Sequence, residues 1–259
     1  MAAAGLALVA LTDHDTLAGV PAARAAAGPE GVTIIAGCEF SVAAAWGEMH
    51  LLAYYLPEGQ SDLEDFLERQ RAARAARGEA IVRRLDKLGV AVTHADVLAA
   101  AGTGAVGRPH VARALVERRL VRNVQEAFDR YLGTGRPAYV PKELPPVATV
   151  VELVRSVGGV TSAAHLGDRA DPQSLEQLKR AGLDAVEVVH PSHNAQDRRR
   201  IERNARRAGL LLTGGSDWHG DSRVDQHRGG LGADTIPEEW AEAIRAAHRA
   251  RAAGMEVAG

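Results

Sequence analysis

The sequence predicts an α/β protein, a mainly parallel sheet covered by helices and interrupted by a helical insertion. Three observations carry this. Short apolar runs rich in Val, Ile and Leu recur between segments of helical spacing; residues 61–142 show helical spacing with no clear strand; and strand and helix alternate again beyond them.

The runs read as strands are Leu6 to Leu11, Val32 to Ala36, Met49 to Tyr54, Gly159 to Ala164, Ala185 to Val189 and Leu210 to Thr213. Within 61–142, SDLEDFLERQRAARAARGEAIVRRLDKLGV reads as one long helix or a helix pair, followed by helical RPHVARALVERR and NVQEAFDRYL. The expected domains are an α/β part over 1–60 and 143–259 and the insertion over 61–142, with proline-rich PKELPP as the return connection. The Arg-rich stretch 69–77, flanked by Glu68 and Glu79, reads as a solvated helix face.

Composition narrows the function. Of 259 residues, 46% are hydrophobic but only 4% aromatic, so the core rests on Ala, Val, Leu and Ile. The net charge of -2 comes from 31 basic and 33 acidic residues that are interspersed, which argues against a chain held on nucleic acid by bulk charge; no stable duplex DNA binding is expected. A small phosphate-bearing substrate stays open. Cys38 is the only cysteine, which leaves no internal disulfide and fits a reducing, cytoplasmic setting. The opening MAAAGLALVALTDHD lacks a basic leader region, and no apolar run approaches the roughly 20 residues that span a bilayer, so no membrane association is expected.

The informative pattern is positional. Strand after strand ends in a candidate metal ligand: LALVALT runs into Asp13 and His14, VTIIAGC into Glu39, EMHLLAYY carries His50, GVTSAAH ends at His165, AVEVVH supplies Glu187 and His190, and LLLTGGSDWH ends in Asp217 and His219. Taken singly, a strand-end His is an ordinary hydrogen-bonded residue and a strand-end Asp a turn former or helix cap, a role that suits Asp15. Independent caps have no reason to pair His with carboxylate on almost every strand. In α/β barrels the carboxyl ends of parallel strands converge on one mouth.

Imidazole and carboxylate together suit Mn, Fe and Zn. Several His and a bridging carboxylate can hold two or more cations about 3.5–4 Å apart, an arrangement for in-line displacement at phosphorus by activated water. Such chemistry needs no side-chain nucleophile, and the chain has no GxSxG elbow, Walker A loop or GxGxxG after a strand.

Seven motifs together resemble the polymerase and histidinol phosphatase (PHP) family of metal-dependent phosphoesterases. They are TDHDT at 12–16, GCEFS at 37–41, His50 in EMHLLAY, GRPH at 107–110, AAH ending at His165, EVVHPSH at 187–193 and GSDWH at 215–219, in order and at similar spacing. The resemblance spans Leu6 to about Gly230 and is strongest to the branch acting on nucleotide 3′,5′-bisphosphates and short RNA 5′ ends, which also carries a helical insertion. It implies a distorted (β/α)7 barrel and divalent metals, Mn first and Fe or Zn as alternatives, up to three in full-length relatives. Motif by motif, Glu39 would bridge two metals, His50 and His165 would complete one, Asp217 would sit on the second, and His14 and His219 on the third. Asp13 would orient a ligand, while Arg108, His110 and His193 would contact substrate phosphate; for His110, helix-start packing is the other reading.

The family's opening HxH strand has no counterpart before Thr12 in this sequence. The expectation is a barrel missing its first βα unit, with an unpaired strand edge, one complete metal position and a shortened or degenerate record behind it. The leading function is hydrolysis of phosphate esters, on a small nucleotide substrate or on short RNA. The alternatives are a non-catalytic nucleotide- or metal-binding domain, and an amidohydrolase-type metal hydrolase, although no strand carries a lysine suited to carbamylation. His94, His227 and His248 fall outside the motifs and read as structural or surface residues, with little effect expected of His248→Ala.

Overall fold

Six strands pair in the order in which they occur along the chain: β1 (Leu8–Leu11), β2 (Thr33–Ala44), β3 (Gly47–Tyr54), β4 (Val160–Ala163), β5 (Ala185–Val189) and β6 (Leu211–Gly214). The structure is a computed structural model that describes residues 5–102, 106–219, 230–232, 234 and 236–258; His227 lies outside the described residues. The pairs β1/β2, β4/β5 and β5/β6 are parallel, in keeping with the mainly parallel expectation.

The middle of the sheet departs from that expectation. β2 continues past Ala36 to Ala44, reverses through Ala45 and Trp46, and returns as β3, so that β2/β3 and β3/β4 are antiparallel. The reversal is local in origin: Gly47 takes φ +114°, a conformation that favours glycine, directly after the two-residue turn. Phe40 and Val42 on the extended part of β2 are fully buried, which ties the strand into the core beyond Glu39. As a result Glu39 and His50 lie mid-strand and not at strand ends. Glu39 opposes Leu52 and Ser41 opposes His50. Opposed residues share a sheet face, so Glu39 and His50 meet diagonally across one pair.

The helices are α1 (Val20–Ala27), α2 (Ser61–Lys87), α3 (His94–Ala101), α4 (Arg108–Glu117), α5 (Val124–Ala127), α6 (Val147–Ser156), α7 (Pro172–Arg180), α8 (Ala195–Arg207) and α9 (Glu238–Ala258). The chain divides into two units. The first comprises residues 1–13, 17–63 and 144–259, the second 14–16 and 64–143. In the first, Ile35, Leu52, Tyr54, Val160 and Ala185 of the sheet pack with Ile244 of α9, and Val32 and Ile34 pack with Ala27 of α1. Full burial of each such aliphatic side chain stabilises the fold by about 1.5–3 kcal/mol.

The second unit has its own core, built from Ile81 and Leu85 of α2, Val97 of α3, and Val111 and Leu115 of α4. Thr93 starts α3 with a reciprocal cap: its hydroxyl accepts the Asp96 N–H, and the Asp96 carboxylate accepts the Thr93 N–H at 2.9 Å. Two sequence expectations fail in this unit. Asp15 caps no helix, since Gly19 is the N-cap of α1 and makes no side-chain bond; Asp15 is buried and ion-paired to Arg74. Nor is 69–77 solvated throughout, because Arg74 is largely covered by that pairing, Arg71 donates to the Asp15 carbonyl at 3.2 Å and Arg77 to the Val140 carbonyl at 2.9 Å. The buried Asp15 carboxylate accounts for Arg74, while Arg71 and Arg77 are held by backbone carbonyls. Among the described residues, no helix is long and apolar enough to cross a membrane.

Candidate metal centre

Glu39, His50 and His165 each aim one donor atom at a common point, all within 4.8 Å of one another. The His50 Nδ1 lies 2.7 Å from Glu39 Oε1 and 3.2 Å from His165 Nε2, and His165 Nε2 lies 3.5 Å from Glu39 Oε1. The two rings meet edge-on, at 81° with centroids 5.1 Å apart. Glu39 is buried while both imidazoles are partly exposed, so the triad opens to solvent on the imidazole side.

Local structure accounts for each position. Ala164 donates its N–H to the His50 carbonyl at 3.0 Å, which brings the end of β4 alongside β3. The next residue, His165, turns out of the strand at φ +31°, an unfavourable region for a residue with a Cβ. Its N–H is taken by Glu187 Oε2 at 2.8 Å. Asp217 has φ +48°, a second strained backbone in the same neighbourhood.

Glu187 of β5 is buried. Burial pushes its carboxyl up to about 8; the negative charges of Glu39 and Asp217 act in the same direction, against the His165 N–H that holds it down. Beneath the carboxylates, Tyr54 bonds Ser162 and Thr213, whose hydroxyls are 2.7 Å apart. Burial and then the Glu187 charge raise the Tyr54 phenol, which therefore stays neutral.

The imidazoles continue from His165 to His190, with centroids 5.3 Å apart, and from His190 to His193, 5.4 Å apart. His190 is buried; its Nδ1 accepts the Ser192 N–H at 3.1 Å, and its Nε2 lies 3.5 Å from Asp217 Oδ2 with no hydrogen-bond partner among the described residues. His193 was expected to touch substrate phosphate. In the structure its Nδ1 donates to the Val188 carbonyl at 2.9 Å and its Nε2 accepts the Gly167 N–H at 3.2 Å, so both ring nitrogens serve the backbone. Burial also depresses its pKa, so the ring is neutral.

Two further expected residues lie in this unit. His219 donates from Nδ1 to the Asp217 carbonyl at 2.7 Å, so that this ring nitrogen carries a proton. Asp13 accepts the Glu39 N–H on its carbonyl at 3.1 Å; partial desolvation raises its carboxyl, and His219 opposes that shift.

His14, Arg108 and His110 belong to the second unit. The Arg108 guanidinium rests over the rings of Phe128 and Tyr139, 5.8 and 5.6 Å from their centroids. His110 Nδ1 accepts the Gly107 N–H at 3.0 Å at the start of α4, the helix-start packing given above as its other reading. His14 is half-buried.

The residues fit a divalent cation. Donors of a tetrahedral site with bonds of 2.0–2.1 Å stand about 3.3 Å apart, close to the 2.7–3.5 Å seen among Glu39, His50 and His165. A nearby cation would also offset the negative charges of Glu39 and Asp217, which add to burial in raising the Glu187 carboxyl.

No protein-family model matches the chain. Individual relatives do. A 5′-3′ exoribonuclease Rnm of Salmonella typhimurium is 33% identical over 220 residues, covering 82% of this chain and 74% of the relative. The chain belongs to the PHP family of metal-dependent phosphoesterases. A 3′,5′-nucleoside bisphosphate phosphatase of Chromobacterium violaceum is 29% identical over 226 residues, 84% of this chain and 79% of the relative. Among solved structures, a protein of Bifidobacterium adolescentis assigned as a metal-dependent phosphoesterase superposes with a TM-score of 0.84 at 32% identity, covering 94% of this chain and 86% of the other.

In this PHP protein two groups carried no assignment from the motifs and nonetheless stand in the centre: Glu187, which fixes the His165 turn, and His190, which faces Asp217. Their signal is the EVVH segment itself, an acid and an imidazole three residues apart across a strand end.

Proposed function

We propose that this PHP protein hydrolyses phosphate esters of nucleotides, either 3′,5′-bisphosphates or the 5′ ends of short RNA, with Mn as its metal and the cytoplasm as its setting. The single observation that carries the reading is the convergence of Glu39, His50 and His165 in the same mouth as Glu187 and Asp217. The names of the relatives, an exoribonuclease and a nucleoside bisphosphate phosphatase, support the substrate class. We assign Glu39, His50 and His165 to one metal position, Asp217 and His219 to further metal binding, and Asp13 to orientation of the Glu39 strand.

When bound, a divalent cation supplies Lewis-acid activation of water and of the phosphoryl group. The chain's own residues prepare for it. Glu39 presents one carboxylate oxygen to both imidazoles, Glu187 holds His165 in its strained turn, and His219 is oriented by the bond from its Nδ1 to the Asp217 carbonyl. An amidohydrolase reading has less support: the only lysines are Lys87, Lys142 and Lys179, and none lies on a strand.

The test is turnover of 3′-phosphoadenosine 5′-phosphate, of 5′-phosphorylated oligoadenylate and of dihydroorotate by Mn-loaded protein, alongside elemental analysis. Release of phosphate or mononucleotide with two or more ions per chain is expected. A single ion and no ester hydrolysis would favour the non-catalytic alternative, and turnover of the amide alone would replace the reading altogether.

A further inference from the structure

Helix α8 starts just after the row of neighbouring imidazoles that runs from His165 through His190 to His193. Its N-cap, Asn194, follows His193, whose ring neighbours His190, and its carbonyl side chain accepts the Gln196 and Asp197 N–H groups. The helix reads AQDRRRIERNARR, with six arginines against Asp197 and Glu202, in a chain whose net charge is -2.

These cations are not equivalent. Arg198 pairs with Asp234, Arg200 with Asp168 and Asp197, and Arg206 with Glu202 at 2.8 Å. Every acid of the helix is thereby taken. Arg199, Arg203 and Arg207 are exposed and have no acidic partner among the described residues. They recur every fourth residue, so they form one stripe, while Ile201 and Ala205 on the opposite face are buried and fix the stripe outward. Together with Glu202 and Arg206 they line a shallow surface groove. Two residues past the end of α8, the Gly209 carbonyl accepts a hydrogen bond from Lys179 at 2.9 Å. Like charges four residues apart weaken a helix, so folding alone gives no reason for the pattern.

We propose that Arg199, Arg203 and Arg207 form a phosphate track for single-stranded RNA, holding the chain that trails from a 5′ end engaged at Glu39, His50 and His165. This rests on the nucleotide reading given above. Successive guanidiniums rise about 6 Å along the helix axis, a step comparable to that between phosphates of an extended strand. The groove lining has no aromatic side chain on which bases could stack, so recognition is electrostatic, indifferent to sequence and strongly salt-dependent.

The experiment uses the full chain loaded with Mn, as parent and as the triple variant Arg199→Gln, Arg203→Gln, Arg207→Gln. The probes are a 3′-labelled, 5′-phosphorylated oligoadenylate of about ten nucleotides, long enough to cover the roughly 12 Å stripe, and 3′-phosphoadenosine 5′-phosphate. Fluorescence anisotropy reads the oligonucleotide Kd between about 50 and 200 mM salt on a version whose phosphorothioate linkages resist hydrolysis, and phosphate release reads the mononucleotide. The variant is expected to bind the oligonucleotide roughly tenfold more weakly, with the slope of log affinity against log salt reduced by about 2, and to turn over the mononucleotide unchanged. An oligonucleotide Kd and salt slope equal to the parent's would overturn the track, as would equal losses on both probes. If the parent hydrolyses neither ester, the functional reading falls, while the anisotropy comparison still decides the track.

Discussion

The Glu187 carboxylate accepts the backbone N–H of His165 at 2.8 Å, and so a buried acid on β5 sets the angle at which an imidazole leaves β4. The same acid lies within the field of Glu39 and Asp217, and burial with those charges raises its pKa from an ordinary 4.5 to about 8. In metal-free protein between these two values the unfolded chain has released a proton that the folded chain retains. Stability therefore falls as pH rises from about 4.5 through about 8, by a few kcal/mol. Glu187→Gln should flatten that decline. Urea unfolding of chelated parent and variant across this range checks it, and parallel pH curves for the two proteins would contradict it.

Glu39→Gln should strip the centre of most of its metal and lower phosphate ester turnover by at least a hundredfold, since the lost charge is the one that both imidazoles face. Circular dichroism should be unaltered. Metal content equal to the parent's would remove Glu39 from its assigned role.

Asp184 and Arg251 fasten α9 to the start of β5. Burial works against the Asp184 charge, but the Arg251 guanidinium and the Thr161 N–H, at 2.8 Å, outweigh it and leave the carboxyl below its usual range. A depressed folded value means that the stabilisation is present above the unfolded pKa and is lost as pH falls through the folded one. Asp184→Asn should cost on the order of 2–3 kcal/mol at neutral pH and much less in strong acid. Thermal unfolding at the two pH values reads the difference.

Gly37 lets β1, β2 and β3 close together. A Cβ there would stand 2.7 Å from the Ala53 carbonyl oxygen and 3.1 Å from that of Leu11, both backbone atoms with little room to move. Gly37→Ala should destabilise by about 1–3 kcal/mol and shift Glu39, two residues on, enough to weaken metal uptake. An unchanged melting temperature would show that the strands can spread.

His248→Ala should cost about 1–2 kcal/mol without affecting ester turnover, a larger effect than the sequence suggested. The ring stacks on Tyr55 at 4.5 Å and 6°, and its Nδ1 donates to the Gly158 carbonyl at 2.8 Å. Differential scanning calorimetry of the variant tests this directly.

The sequence by itself determined the α/β class, the positions of five of the six strands to within two residues and the residue types available for a cation, because apolar periodicity and the alternation of elements are local properties; it missed the eight residues by which β2 runs on past Ala36. It listed Glu39, His50, His165 and Asp217 without their distances. Tertiary structure alone decided that Glu39 and His50 meet from the middles of antiparallel strands, since pairing direction follows from the turn at 45–46 and from burial of Phe40 and Val42 against distant segments. It also decided that Glu187 holds His165, that His193 spends both nitrogens on backbone groups, and that Asp15 turns inward to Arg74. Each of these depends on which remote donor satisfies a buried polar group, and one-dimensional spacing does not encode that.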